Sequence, residues 1–261
     1  MSTFSRSKCF LILPIIAGMI SGVFILSAVN AQDGHSVHWG YEGEAEPEHW
    51  GELDETFALC SQGRAQSPIN LTAATGIDLV NIDFDYQETA LNIFNNGHTV
   101  QVNYDEGSRI SYNETTYDLL QFHLHHPSEH TVDGEPAAME LHLVHRDASG
   151  NLAVVGILIV EGEADNEDYA VVFDNLPAEE GEPVASELVV NAADLLPDTT
   201  TFFTYSGSLT TPPCSQGVRW LVLDTPIELS EAQIEAFAQI FELNARPTQD
   251  LNSRDLLSDT E

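Results

Sequence analysis

The sequence predicts a mainly β protein, a single domain built on a large, mostly antiparallel, twisted β-sheet with a few short peripheral helices. Three observations carry this expectation. Short apolar runs recur after Pro68, turn-forming residues separate them (Asn95-Asn96-Gly97, Asp105-Glu106-Gly107, Asp133-Gly134, Ser149-Gly150), and helical periodicity is scarce. With 261 residues and 43% hydrophobic content, the chain is long enough to close a packed core.

Taken in order, the first element is a targeting segment. Arg6 and Lys8 precede an apolar run from Phe10 to Val29, which ends in the small-residue site Val29-Asn30-Ala31. This pattern predicts a secretory signal over residues 1–31, cleaved after Ala31, and a single folded domain over residues 32–261. The competing reading is an uncleaved anchor, since about twenty apolar residues can span a bilayer. Pro14, Gly18 and Gly22 interrupt the run and favour cleavage, which makes the mature chain secreted or periplasmic with no stable membrane association.

Residues 32–47 are polar and rich in Gly and Glu, with Trp39 and Tyr41 as large anchors, and read as an arm across the body. Strands follow over residues 82–86, 90–95, 99–104, 108–112, 117–126, 138–145 and 152–161. A short helix is expected over 165–173. A better one spans 230–243, where Ser230 and Gln233 form a capping box and Ile234, Phe237 and Phe241 recur at helical spacing. Residues 177–183, acidic with Pro and Gly, read as a surface loop inside the domain.

Lys8 is the only lysine, so loss of the signal removes Arg6 and Lys8 and takes the formal charge from −34 to −36. A surface of that sign repels nucleic acid and anionic membranes, which makes both poor candidates as partners, and no nucleic acid is expected. The acids are spread from Asp33 to Glu261 without a block, which suits a solvated, salt-tolerant shell better than a substrate-steering patch. The mature chain keeps Cys60 and Cys214, and two cysteines in an exported protein most simply form one disulfide.

Six of the ten histidines (His123, His125, His126, His130, His142 and His145) fall within 23 residues. On a strand, His123 and His125 project from one face while Leu124 points away. The Asp133-Gly134 turn lets an antiparallel strand return and bring His142 beside them. Three imidazoles leave a fourth coordination position for water, as in a catalytic rather than a structural zinc site. A His-x-His pair alone is weak evidence, and Glu140-x-His142 on the return strand strengthens it.

The segments 121–125 (Gln-Phe-His-Leu-His), 127–130 (Pro-Ser-Glu-His) and 139–145 (Met-Glu-Leu-His-Leu-Val-His) resemble the zinc-site segments of α-class carbonic anhydrases. Trp39-Gly40-Tyr41, Pro47-Glu48-His49-Trp50, Gln66-Ser67-Pro68-Ile69-Asn70, Asn96-Gly97-His98, residues 205–213, Arg246-Pro247 and Leu251-Asn252 are similar to further family motifs in the same order. The resemblance runs from Trp39 to Arg254. It implies a bacterial-type member whose catalytic domain occupies residues 32–261 and converts carbon dioxide and bicarbonate, using Zn2+ as cofactor.

By the same resemblance His123, His125 and His142 are the metal ligands, held by Gln121 and Glu140. Thr210 would orient the attacking oxygen and Glu129 would accept from the threonine hydroxyl. His98 would shuttle the proton along waters ordered by Tyr41, Asn96 and Thr211. Val144, Val154, Leu209 and Trp220 would form an apolar wall for the substrate, although ordinary β-core explains those four equally well. Cys60 and Cys214 match the disulfide of secreted members. The chain departs from the common pattern at His126, where many animal members have tryptophan, and at Gln101, often asparagine. A catalytically silent zinc-binding member is the alternative, as is a zinc-storage protein, for which His98 and residues 209–211 would have no purpose. The sequence is compatible with a homodimer and does not fix the oligomeric state.

Overall fold

Period-two alternation of apolar and polar residues from Glu88 onward becomes a twelve-stranded sheet in the computed structural model, which describes Met1 and residues 37–260. The expected signal and the start of the arm lie outside the described residues. Four small helical turns come first: a 3-10 turn (Gly43–Ala45), α1 (Trp50–Leu53), a second 3-10 turn (Glu55–Phe57) and α2 (Leu59–Gln62). The strands are β1 (Asn70–Leu71), β2 (Thr75–Ile77), β3 (Asp83–Asp85), β4 (Glu88–Asn95), β5 (Val100–Asn103), β6 (Arg109–Tyr112), β7 (Thr115–His125), β8 (Thr131–Val132) and β9 (Glu135–Pro136). They continue as β10 (Met139–Arg146), β11 (Leu152–Gly162), β12 (Val184–Asn191), β13 (Phe202–Ser208), β14 (Gln216–Ser230) and β15 (Leu257–Asp259). Helices α3 (Glu167–Phe173) and α4 (Glu231–Ala238) intervene.

The sheet order is β12-β4-β5-β7-β10-β11-β14-β13-β15-β2, with β3 and β6 branching from β7. Its pairings are antiparallel except β11 with β14 and β15 with β2, so the expected mostly antiparallel sheet carries a parallel pair at its centre. Burial explains the composition there. On β11, Val155, Ile157 and Ile159 enter the main core, while Val154 enters a second cluster on the opposite face, so the strand is a continuous apolar run. The main core packs Phe122, Leu124, Leu141 and Leu143 with Tyr169 of α3 and Phe237 of α4.

The strands expected between residues 82 and 161 all form, within a few residues of their expected bounds. Helix α4 begins with the expected capping box: the Gln233 N–H donates to Ser230 Oγ, and the Ser230 N–H to Gln233 Oε1. It ends at Ala238 rather than Leu243, because Ile240 and Phe241 both turn back onto the Phe237 carbonyl. Among the described residues no helix is long and apolar enough to cross a membrane.

Candidate metal centre

The site rests on β7 and β10, which pair antiparallel with His142 opposite His123 and Glu140 opposite His125. Leu124, Leu141 and Leu143 are almost wholly buried in the main core, and this pins the register that turns the histidines to the other face. One irregularity shapes the strand: Val144 pairs with Gln121 but His145 with Leu119, leaving Leu120 unmatched on β7. The bulge lets Leu119 join Phe122 and Leu124 in the core although it shares parity with His123.

The imidazole centroids of the triad lie 5.0 Å (His123 to His125), 5.2 Å (His123 to His142) and 4.6 Å (His125 to His142) apart. One nitrogen from each lies within 4.8 Å of the others. The remaining nitrogens are tied: His123 Nδ1 to Gln121 Oε1 at 2.9 Å, His125 Nδ1 to the Asn244 carbonyl at 2.7 Å, and His142 Nε2 to Glu140 Oε1 at 2.9 Å. A carbonyl and a carboxylate only accept, so those ring nitrogens donate. The nitrogens left over are His123 Nε2, His125 Nε2 and His142 Nδ1. Orientation by outer acceptors is what a metal-binding imidazole requires.

The chemistry of this donor set fits a divalent ion. His125 Nε2 and Glu129 Oε2 are buried without a hydrogen-bond partner, 3.6 Å apart, and Oε2 is also 3.9 Å from His142 Nδ1. Lone pairs converging in a water-poor site without a donor are costly unless a cation joins them. Three neutral nitrogens with no thiol match an open zinc site. Burial, followed by repulsion from His125 and His142, holds the His123 imidazole well below its ordinary pKa, and burial also lowers His125. Burial pushes His142 the same way, but the Glu140 carboxylate outweighs it and raises the ring.

Glu140 is fully buried and accepts four hydrogen bonds. Oε1 takes His142 Nε2 and His130 Nδ1 (2.7 Å), and Oε2 takes the backbone N–H groups of Glu129 (2.9 Å) and His130 (2.8 Å). Burial alone would raise its pKa; His130, His142 and their hydrogen bonds win and hold the carboxyl well below the usual range. Gly156, opposite His142 on β11, makes room: a Cβ there would lie 3.0 Å from Glu140 Oε1 and 3.4 Å from Val222. His130 continues the chain, with Nε2 2.7 Å from the Tyr205 hydroxyl, which lies 2.9 Å from Ser67 Oγ.

The other expected residues take the following places. Glu129 Oε1 accepts the Arg246 N–H at 2.9 Å, while Oε2 faces the imidazoles, so the expected bond from the Thr210 hydroxyl to that oxygen is not formed. Thr210 is buried in the loop after β13, closed by the Leu209 N–H to the Ser215 carbonyl (3.0 Å) and the Cys214 N–H to the Thr211 carbonyl (2.8 Å). The Cys60–Cys214 disulfide, across 154 residues, ties this loop to α2. Val154 and Trp220 sit in the second apolar cluster with Val144 and Leu209 packed against it, and the Trp220 ring lies 4.9 Å from His142. Val144 and Leu209 are partly exposed, as a wall requires, whereas Val154 and Trp220 are core.

Asn96 is engaged locally. Its Oδ1 accepts the N–H groups of His98 (3.0 Å) and Thr99 (2.9 Å), and its Nδ2 donates to Gln101 Oε1 at 3.3 Å. His98 stacks on Trp39, and Trp39 and Tyr41 pack edge-on against Trp50. Burial, then the Glu129 carboxylate, raises the Tyr41 phenol well above its ordinary pKa.

Two residues that brace the site, Asn244 and Arg246, carried little signal in the sequence. Asn244 holds His125 through its backbone carbonyl, a contact any residue could make, so no side-chain signal marks it. Its amide Nδ2 also donates to the carbonyls of Leu124 (3.0 Å) and His98 (3.1 Å). Arg246, buried with its guanidinium bonded to Gln66 Oε1 and to the carbonyls of Ser67 and Cys60, ties the Glu129 segment to α2. Only its place in an Arg-Pro motif pointed to it.

Comparison with known proteins agrees with this geometry. The model of the eukaryotic-type carbonic anhydrase family matches residues 45–260. A carbonic anhydrase of Nostoc sp. is 51% identical over 225 residues, covering 84% of this chain and 85% of that protein. One from Pectobacterium atrosepticum is 42% identical over 242 residues, covering 92% and 96%. The alpha-carbonic anhydrase of Thermovibrio ammonificans, solved with the inhibitor sulfanilamide, superposes with a TM-score of 0.82 at 39% identity, over 85% of this chain and 99% of that one. The triad, its acceptors and the sheet beneath them thus stand in a chain that belongs to the eukaryotic-type, or alpha, carbonic anhydrase family.

Proposed function

We propose that this carbonic anhydrase binds Zn2+ through His123, His125 and His142 and uses it for the reversible hydration of carbon dioxide to bicarbonate and a proton. The observation that carries this reading is the convergence of three oriented imidazole nitrogens beside the unpartnered Glu129 Oε2. When bound, zinc supplies the charge that brings the pKa of a water molecule into the neutral range, as in carbonic anhydrases generally.

The chain's own residues do the rest. Glu140, Gln121 and the Asn244 carbonyl hold each ring in one tautomer, so none spends its inward lone pair on a proton. Thr210 orients the attacking oxygen by accepting from it. The partly exposed Val144 and Leu209, backed by Val154 and Trp220, exclude water from the side where an apolar substrate approaches. His98 carries the released proton outward; burial, then His38, holds its pKa below the ordinary imidazole value, with Glu180 opposing. Waters near Tyr41, Asn96 and Thr211 complete the route.

The disulfide supports export to an oxidising compartment, secreted or periplasmic after removal of residues 1–31. The acidic, lysine-free surface supports function in high salt, and sedimentation in that salt decides between monomer and homodimer. Stopped-flow hydration of carbon dioxide, with a sulfonamide control, tests the activity. Rapid, sulfonamide-sensitive turnover is expected. A folded, zinc-loaded chain without turnover would establish the silent alternative.

A further inference from the structure

His98 sits in a clamp assembled from three separate parts of the chain. Its imidazole lies flat on the Trp39 indole, centroids 3.7 Å apart and planes 8° from parallel. Trp39 is itself fixed, because the Trp50 indole N–H donates to the Gly40 and Ala45 carbonyls (2.8 and 2.9 Å) and anchors the arm. From the opposite side of the sequence, Glu180 reaches the turn that carries His98.

Gly97 has φ +85°, and a Cβ on it would lie 3.2–3.4 Å from the Glu180 carboxyl atoms, so the acid occupies the room the glycine leaves. The 177–182 loop is fastened there. Asn95 and Glu180 form a parallel bridge, the Gly181 N–H donates to the Asn95 carbonyl at 3.0 Å, and Asn95 Nδ2 donates to the carbonyls of Pro177 and Ala178. An exposed acid held over the shuttle's turn by a bonded loop is more than a surface charge.

Among the described residues, the other ionisable groups around His98 are His38, Tyr41 and Glu42 on the arm and Glu242 after α4. They share with His98 a surface cavity of about 350 Å3. Burial, then His38, disfavours the charged ring, and Glu180 opposes them. The indole face also favours an imidazolium over a neutral ring.

We propose that Glu180 is a positioning residue for proton transfer: from its seat over Gly97 it holds protonated His98 against Trp39 and so favours movement of the proton out of the site. The proposal rests on the reading of His98 as the shuttle. It predicts a directional effect. Without the carboxylate His98 is a weaker acceptor and a stronger donor, so hydration slows while dehydration does not.

The test uses zinc-loaded wild type, Glu180→Gln and Glu180→Lys at about 0.1 M salt, where surface charges still act over about 10 Å. Ring-proton NMR follows the titration of His98, and stopped-flow in buffer ample enough for transfer through His98 to limit turnover follows both directions. His98 should titrate at lower pH in Glu180→Gln and lower still in Glu180→Lys. The hydration-to-dehydration ratio of turnover limited by transfer through His98 should fall by about twofold or more, as a modest change in acceptor strength requires. Carbon dioxide–bicarbonate exchange at equilibrium should not change. An unmoved His98 titration, or equal loss in both directions, overturns the proposal. His98→Ala separates the two readings: unchanged turnover in weak buffer removes the shuttle assignment, whereas the NMR shift reports on Glu180 whether or not His98 carries the proton.

Discussion

Replacing Glu140 by Gln removes one charge and almost no volume, and the structure says where the damage falls. The carboxylate accepts from four buried donors, the His130 and His142 rings and the backbone N–H groups of Glu129 and His130. An amide offers one acceptor oxygen and turns an NH2 toward whichever pair the oxygen does not serve. At least two buried donors lose their partner, at about 1–3 kcal/mol each, for a total of about 2–6 kcal/mol. The glutamine can instead accept a proton pattern that flips the His142 tautomer, which consumes the inward Nδ1 lone pair and weakens the metal site. Loss of such an outer partner typically costs about 10–100-fold in metal affinity. Urea unfolding of the chelator-treated protein reads the first effect and competition with a zinc indicator reads the second. A variant within about 0.5 kcal/mol of wild type and with unchanged zinc affinity would refute the reasoning, because surface-like substitutions fall in that range.

Three other outcomes follow from the same structure. His145 is buried in the core beside the Tyr86 hydroxyl (2.8 Å), and burial lowers its pKa to about 3. Between the unfolded value of about 6.5 and that pH the unfolded chain binds the extra proton, so this contribution is intact above pH 6.5 and is lost as pH falls toward 3, at up to about 5 kcal/mol. The stability gap between wild type and His145→Leu in urea should therefore narrow steadily below pH 6.5; a constant gap would contradict this. Substituting both Cys60 and Cys214 by Ser opens a 154-residue loop and should lower stability by up to about 5 kcal/mol in the chain-entropy model, measured by the same unfolding. With 42 acidic residues against eight basic ones, the surface predicts a melting temperature that holds or rises up to molar NaCl, and unfolding driven by salt would reject a salt-suited shell.

Local pattern made the first half of the sheet legible. Strands β4 to β11 alternate cleanly or form short apolar runs between Gly-containing turns, and the His-x-His and Glu-x-His pairs marked the face on which the three imidazoles meet. The parallel seam between β11 and β14 was not legible, since Leu152–Gly162 reads alike as any strand buried on both faces. Strand order across distant segments leaves no local trace. At the site, residues acting through side chains in recognisable motifs were visible: His123, His125, His142, Gln121 and Glu140. Asn244 acts through a carbonyl, and His130 joins Glu140 to Tyr205 in a network that exists only once three segments meet. The sequence did not show which of the apolar four are buried; Val154 and Trp220 are, while Val144 and Leu209 are partly exposed.

Zinc titration of the metal-stripped protein, with binding and carbon dioxide hydration read on the same samples, addresses the central claim most directly. One ion per chain should bind, turnover should rise in proportion to occupancy, and His125→Ala should lose both together. Turnover that survives stripping, or full occupancy in His125→Ala, would contradict the account.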